Sequence, residues 1–350
     1  MNPPADTTQY RVSVGDATRD KDAVIGIWRD NLGDEAHMLA KFAWFYETCP
    51  FGQPLLLILT QSGTHQAVGV AAAGPRRMRV RGKECSAGVL VDLAVVAEHR
   101  SLGPALMLQR ELAELGGQRF DLLYGFPNAK AAPLFKRIGV YEIPGAIVRY
   151  ARVLRYQGYA ARRMPKALAR ALGWVMDLSW RLNPAHAEHR TLRARWSDSV
   201  DPGVDSLWQR SAPSTGILTV RDAQFLRWRF EQAPTPTRFL LIEDGSDGGL
   251  KAWFACQSQE RMLHVRDCWS EEGLAGISRG QISALQHAAY RAGYASLSFE
   301  FFGSDAALQG WRAAGFVERS RRSLVARWSG KLTTTAALDE MHLTSADEDE

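Results

Sequence analysis

The chain repeats itself. The segment Trp44-Phe45-Tyr46-Glu47-Thr48-Cys49-Pro50 recurs as Trp228-Arg229-Phe230-Glu231-Gln232-Ala233-Pro234. At the same offset Leu56-Leu57-Ile58 meets Leu240-Leu241-Ile242, and Arg77-Met78 meets Arg261-Met262. A slightly shorter offset aligns Gly117 with Gly293 and residues 135–142 with 311–318. Several matches in one order are the mark of a duplicated unit. The 350 residues are enough for two such copies, each of ordinary domain size.

Both copies read as mixed α/β. In the first, an amphipathic helix (22–31) precedes a second helix carrying the Trp-x-aromatic-Glu motif, which Pro50 ends because proline lacks a backbone donor. Strands follow at 55–59, 67–73 and 89–96. A helix after Gly103 then sets Ala105, Leu108, Leu112 and Leu115 on one face. A strand (120–124), a short helix (129–138) and a last strand near 146–153 close the copy. The expected organisation is an N-terminal domain over 10–155, a basic helical linker over 156–195, a C-terminal domain over 196–330 and a disordered acidic tail over 331–350.

The net charge of +5 is uneven. Between Arg149 and Arg195 the acids are Asp177 and Glu188 alone, among many basic residues. A solvated helix face explains this. Peripheral contact of a basic amphipathic helix with an anionic membrane is the alternative. No apolar run approaches the roughly 20 residues of a membrane span, and no secretory leader is read at the N-terminus. The four cysteines lie far apart, and His186 and His189 lack further ligands, so neither a disulfide framework nor a metal is expected. A cytoplasmic protein fits these features.

Between the strand at 89–96 and the helix lies Arg100-Ser101-Leu102-Gly103-Pro104-Ala105-Leu106. A helix N-terminus exposes unclaimed backbone N–H groups and carries partial positive charge, which together suit a phosphate. Gly103 permits close approach, Ala105 is small, and Pro104 is accommodated in a first turn. A plain strand-to-helix turn is the simpler account. Here the turn is followed by a strand and by Asn-x-x-Ala-x-x-Leu-Phe-x-x-x-Gly (128–139).

Arg-x-x-Gly-x-Ala and the Asn128 segment, in this order, resemble the GNAT superfamily of N-acetyltransferases across most of residues 10–153. The Trp-x-aromatic motif is similar to that of tandem GNAT proteins. The resemblance implies two GNAT-like domains, each a mixed, mostly antiparallel sheet flanked by helices. It also implies acetyl-CoA as acyl donor, with its pyrophosphate on the backbone of residues 100–106. Main chain near Leu93 and Val95 would pair with the pantetheine arm, and Asn128 would flank the thiol end. In the second copy Gly276, Arg279, Gln281 and Ser304 stand where Arg100, Gly103, Ala105 and Asn128 stand in the first. One cofactor site is therefore expected. Trp228, Arg229, Arg266, Asp267 and Glu300 are candidates for the acceptor pocket, and packing or surface pairing explains them equally well.

Acyl transfer to an amine needs a base, oxyanion stabilisation and a proton for the leaving thiolate. Where the family carries a tyrosine as acid this chain has Phe135, which leaves Tyr124 and Tyr141 as candidates. Asp92, inside an apolar strand, is the candidate base, ahead of Glu84, Glu47 and His99. The expected activity is acyl-CoA-dependent N-acyltransfer to a small amine, such as an amino sugar or sugar nucleotide, with no nucleic-acid partner. A non-catalytic binding module and an aminoacyl-tRNA-dependent transferase remain as alternatives.

Overall fold

In the computed structural model the described residues are 9–29, 31, 35–155, 191–329 and 337–348. The first half runs β1 (Tyr10–Val14), α1 (Lys21–Arg29), α2 (Glu35–Phe42), a π-helical turn (Ala43–Glu47), β2 (Leu55–Gln61), β3 (Ala67–Val80), β4 (Lys83–Val95), α3 (Leu102–Arg119), β5 (Leu122–Gly125), α4 (Ala132–Ile138) and β6 (Glu142–Val153). The second half repeats the order. It runs β7 (Leu192–Ser197), α5 (Val204–Ser211), β8 (Ile217–Thr219), α6 (Ala223–Leu226), a π-helical turn (Arg227–Glu231), β9 (Arg238–Asp244), β10 (Leu250–Gln259), β11 (Met262–Ser270), α7 (Arg279–Arg291), β12 (Ser296–Phe302), α8 (Asp305–Ala313) and β13 (Val317–Trp328). A final strand, β14 (Met341–Thr344), ends in a 3-10 turn (Ser345–Asp347).

The halves do not close separately. The strand order β1-β2-β3-β4-β5-β13-β6-β12-β11-β10-β9-β7 makes one mixed sheet, in which each half's last strand lies inside the other half. β13 pairs with β5 (Val325 with Gly125), and β6 pairs with β12 (Phe299 with Tyr150). β6 and β13 are antiparallel neighbours at the centre. The expected closure of residues 10–155 by their own last strand is thereby corrected: β6 closes the partner half. The reason is visible in burial. One continuous apolar core holds Trp28, Phe42, Trp44 and Phe45 together with Trp228, Phe230, Trp253 and Trp269, so the halves hide more apolar surface joined than apart.

Two further boundaries differ from expectation. Residues 192–195 belong to β7, paired with β9 at the sheet edge, not to the linker. The acidic tail over 337–348 is folded. β14 joins β8 and β12, β8 joins β3, and Asp347 is fully buried against Arg221, Thr219 and Thr344. A short stretch rich in acids reads as solvated, yet here a buried arginine and two threonines satisfy its carboxylate. The amphipathic linker helix and the His186–His189 pair lie outside the described residues. Among the described residues no helix is long and apolar enough to cross a membrane.

Candidate functional site

β4 carries the feature that opens the sheet. Ala94 faces Val70 on β3 while Val91 faces Ala72, so β4 holds one residue more than its partner between these pairs. The extra residue forms a bulge at Asp92, whose φ of 55° lies in the left-handed region that aspartate tolerates better than most residues. On the other side β4 runs parallel to β5 for Ala87–Val89 only. At Gly125 the strands approach closely; a Cβ there would sit 2.9 Å from the Leu90 Cβ. Beyond that point they part, and the edge of β4 from Leu90 onward faces a cavity.

The cavity has a volume of about 780 Å³ and draws its walls from both halves. The first half supplies Leu90–Leu93, Gln109, Asn128 and Phe135; the second supplies Arg229, His264, Arg266 and Arg322, with Glu348 from the tail. This size is in the range of small-molecule sites. Gln109 is buried on α3, and its Oε1 has no hydrogen-bond partner among the described residues. Such an acceptor is costly unless a ligand supplies a donor.

The turn at residues 100–106 is less open in charge than its sequence implies. Arg100 donates from Nε to the Val95 carbonyl at 3.1 Å and from a terminal nitrogen to Asn31 Oδ1 at 2.9 Å. It braces the strand-to-helix turn. Ser101 occupies the N-cap of α3 with extended backbone and makes no side-chain cap, so the N–H groups of the first turn are not claimed by it. The helix begins at Leu102, one residue before Gly103. In the second half the equivalent helix α7 is closed: the Ser278 hydroxyl accepts from Gln281 N at 3.3 Å, and Gln281 Oε1 accepts from Ser278 N at 2.9 Å. The second half's gap is filled as well. β12 pairs with β11 as far as Phe299 and then with β14 at Phe301 and Phe302, while the Ser345 hydroxyl donates to the Arg266 carbonyl of β11 at 3.1 Å. The chain's own C-terminal segment thus occupies the space that stays open beside β4.

The sequence-selected residues fall into two groups. Asp92, Leu93 and Asn128 line the cavity, as does Phe135 in the place of the expected tyrosine. Val95 lies one step further along β4, and residues 100–106 form the helix entrance beyond it. Asn128 uses its Oδ1 to accept from Lys130 N and Ala131 N, both at 3.0 Å, which starts the turn into α4. Tyr124 and Tyr141 are corrections: neither lines the cavity. Tyr124 alternates to the opposite side of β5, fully buried, and donates to the Asp347 carbonyl at 3.0 Å. Tyr141 packs edge-on against Phe135 after the Gly139 turn. Burial raises both phenol pKa values far above the usual.

Asp92 is at the cavity but engaged. Its carboxylate accepts from Lys41 Nζ at 2.7 Å and from the Tyr46 hydroxyl at 2.6 Å. Protonating it would strand the Lys41 ammonium, so the arrangement suits an anchor for the bulge better than a base. Among the acceptor candidates, Arg229 and Arg266 reach the cavity, each donating to carbonyls of the tail at Ser345 or Ala346. Trp228 stacks on Trp44, Asp267 is buried under Arg221, and Glu300 pairs with Arg322. His264, Gln109, Arg322 and Glu348 escaped the sequence reading. Only His264 had a signal, as it alternates with apolar Leu263 and Val265 beside Arg266.

No family profile and no curated protein matches the sequence. Solved structures do match the fold. A probable N-acyltransferase from Enterococcus faecalis V583 gives a TM-score of 0.61 at 12% identity over 92% of this chain and 73% of its own. A GCN5-related N-acetyltransferase from Kribbella flavida gives 0.58 at 13% over 92% and 71%. The N-myristoyltransferase of Saccharomyces cerevisiae with bound myristoyl-CoA gives 0.55 at 14% over 93% and 84%. The fold is that of the GCN5-related N-acetyltransferases.

Proposed function

We propose that this chain, built on the fold of the GCN5-related N-acetyltransferases, is an acyl-CoA-dependent N-acyltransferase acting on a small amine. One observation carries the reading: the opened edge of β4 runs from an uncapped helix N-terminus into a cavity shared by the halves, and the equivalent gap in the second half is plugged. A pyrophosphate would rest on the N–H groups of Leu102, Gly103 and Ala105, since Pro104 has none. The pantetheine arm would follow Leu93. The thioester would then lie near Asn128 and Phe135. The acceptor, an amino sugar or sugar nucleotide in the favoured case, would enter among Arg229, His264 and Arg266.

Phe135 supplies no acid, but a thiolate needs little help to leave. A thiol pKa near 8.5 leaves the anion stable enough to depart and be protonated by solvent. The same absence keeps a non-catalytic binding module as the second reading. Calorimetric titration of acetyl-CoA into the wild type, Gly103→Glu and Arg279→Glu separates them. The wild type and Arg279→Glu are expected to give heat and Gly103→Glu none. No heat with the wild type would end the reading. Heat without thiol release over a panel of amines would select the module.

A further inference from the structure

We propose that the acceptor amine carries an anionic group, a carboxylate or a phosphate, and that Arg266 of the second half recognises it. The inference rests on the acyltransferase reading and narrows its acceptor. It begins in the alternation of β11. Leu263 and Val265 point into an apolar core with Ile282 and Leu285 of α7. His264 and Arg266, on the other side of the strand, are half-buried and line the cavity. Gln257 of β10 stands opposite His264. The second half thus turns a polar sheet face toward the cavity.

The charge on the wall is out of balance. Among the described residues Lys41, Arg229, Arg266 and Arg322 line the cavity against two carboxylates, Asp92 and Glu348. Asp92 accepts from Lys41 at 2.7 Å. Glu348 accepts from Arg322 at 2.9 Å, and Glu300, behind the wall, accepts from the same guanidinium at 2.6 Å. Arg229 and Arg266 converge instead on one carbonyl, that of Ser345, at 3.5 Å and 3.3 Å. A carbonyl oxygen carries no net charge, so this shared partner leaves the two cations side by side. Away from bulk water their repulsion is weakly screened, and a small anion beside them relieves it. Glu348 acts on Arg266 through space, but its carboxylate is bonded to Arg322. His37 and His264 share the wall, and an imidazole supplies no negative charge. Arg229 is almost fully buried, whereas Arg266 is partly exposed. Arg266 is therefore the one a ligand touches, with the planar fork that a guanidinium offers to carboxylate or phosphate. The duplication then divides the work: the first half holds the donor and the second selects the acceptor by charge.

The test uses the full chain with acetyl-CoA as donor and three matched pairs of amines, following thiol release. The pairs are phosphoethanolamine and ethanolamine, glucosamine 6-phosphate and glucosamine, and glycine and glycinamide. In a pair that is turned over, kcat/KM for the anionic member is expected to exceed that of the neutral one by about 10-fold or more. The pair that shows the preference, phosphate or carboxylate, names the anion. Arg266→Gln should bring the ratio close to one and Arg266→Lys should restore part of it, with acetyl-CoA heat retained in both. Equal or neutral-favouring ratios in the wild type, or a ratio untouched by Arg266→Gln, would overturn the assignment. If no pair is turned over, inorganic phosphate and acetate titrated into the CoA-saturated protein decide. One of them should bind the wild type and bind Arg266→Gln about 10-fold more weakly. No binding, or binding indifferent to the substitution, would overturn the proposal. Absence of acetyl-CoA heat from the wild type would instead remove the acyltransferase reading, and this inference with it.

Discussion

Trp44 and Trp228, the same residue in the two copies, are each other's hydrogen-bond partners. The Trp44 indole N–H donates to the Trp228 carbonyl at 2.7 Å, and the Trp228 indole N–H donates to the Trp44 carbonyl at 3.3 Å. Their rings stack with centroids 4.9 Å apart. Both sit in π-helical turns, and the Trp44 carbonyl also accepts from the Thr48 hydroxyl at 3.0 Å. The sequence repeat thus marks the contact across the approximate twofold axis.

Trp44→Phe and Trp228→Phe each keep an aromatic ring and remove one N–H. Trp44→Phe should cost about 1–3 kcal/mol by leaving the buried Trp228 carbonyl short of a partner, and Trp228→Phe less, because the Trp44 carbonyl keeps the Thr48 hydroxyl at 3.0 Å. In urea unfolding the double variant should fall short of the sum by at least about 0.5 kcal/mol, because the pair acts as a unit. Strict additivity would sever that link.

Lys41→Met should destabilise by roughly 3–5 kcal/mol, since the Asp92 carboxylate would stay buried without its cation. Adding Asp92→Asn should recover part of this loss, as asparagine also accepts the left-handed backbone. A double variant no more stable than Lys41→Met would argue against the ion pair as the cause.

Two buried groups titrate in opposite senses. His342, ringed by Trp269 and Phe301, has its pKa lowered to about 3 by burial, with Arg221 adding to it. Its unfolded form takes a proton near pH 6.5, so stability present above that pH is lost as pH falls toward 3. Asp267 has its pKa raised to about 6 by burial, against the pull of Arg221. Its contribution is full below about pH 4 and is lost as pH rises through 6. Between pH 7 and pH 5 the two act in opposite directions. His342→Gln should therefore become more stable on going from pH 7 to pH 5, and Asp267→Asn less stable, as read from urea midpoints.

A chain ending at residue 336 lacks β14 and the turn that buries Asp347. It should bind a hydrophobic dye and unfold at lower urea, because β8 and β12 lose their common neighbour. On the acyltransferase proposal it should bind one acetyl-CoA, since the Ser278–Gln281 cap still closes α7. A stoichiometry of two would show that the tail alone kept the second copy from binding.

The duplicated order of helices and strands was legible because Trp, Gly and apolar alternation mark local structure. Residues 55–59, 67–73 and 89–96 fall within β2 and β3 and across the end of β4. The differing residues at the second copy's turn were legible too, and there the structure shows the Ser278–Gln281 cap. Strand exchange was not, because Val148 and Val325 alternate identically whichever half supplies the neighbour. The tail misled for a similar reason: Asp347 reads as solvated until Arg221, 126 residues away, is brought beside it. Tyr124 and Tyr141 do not line the cavity because residue type suggests chemistry, whereas position decides what a side chain reaches: Tyr124 lies on the far side of β5 and Tyr141 in the bend before β6.

The exchange of β6 and β13 also constrains synthesis. β5 ends at Gly125, and the strand that covers it begins at Val317. At about 5–20 residues per second the ribosome needs roughly 10–40 s to deliver that partner. Until then the nascent first half presents an unsatisfied strand edge, which is an invitation to pair with other chains. Removing the second copy would therefore leave the first unfinished, because it carries the strand that pairs with β5.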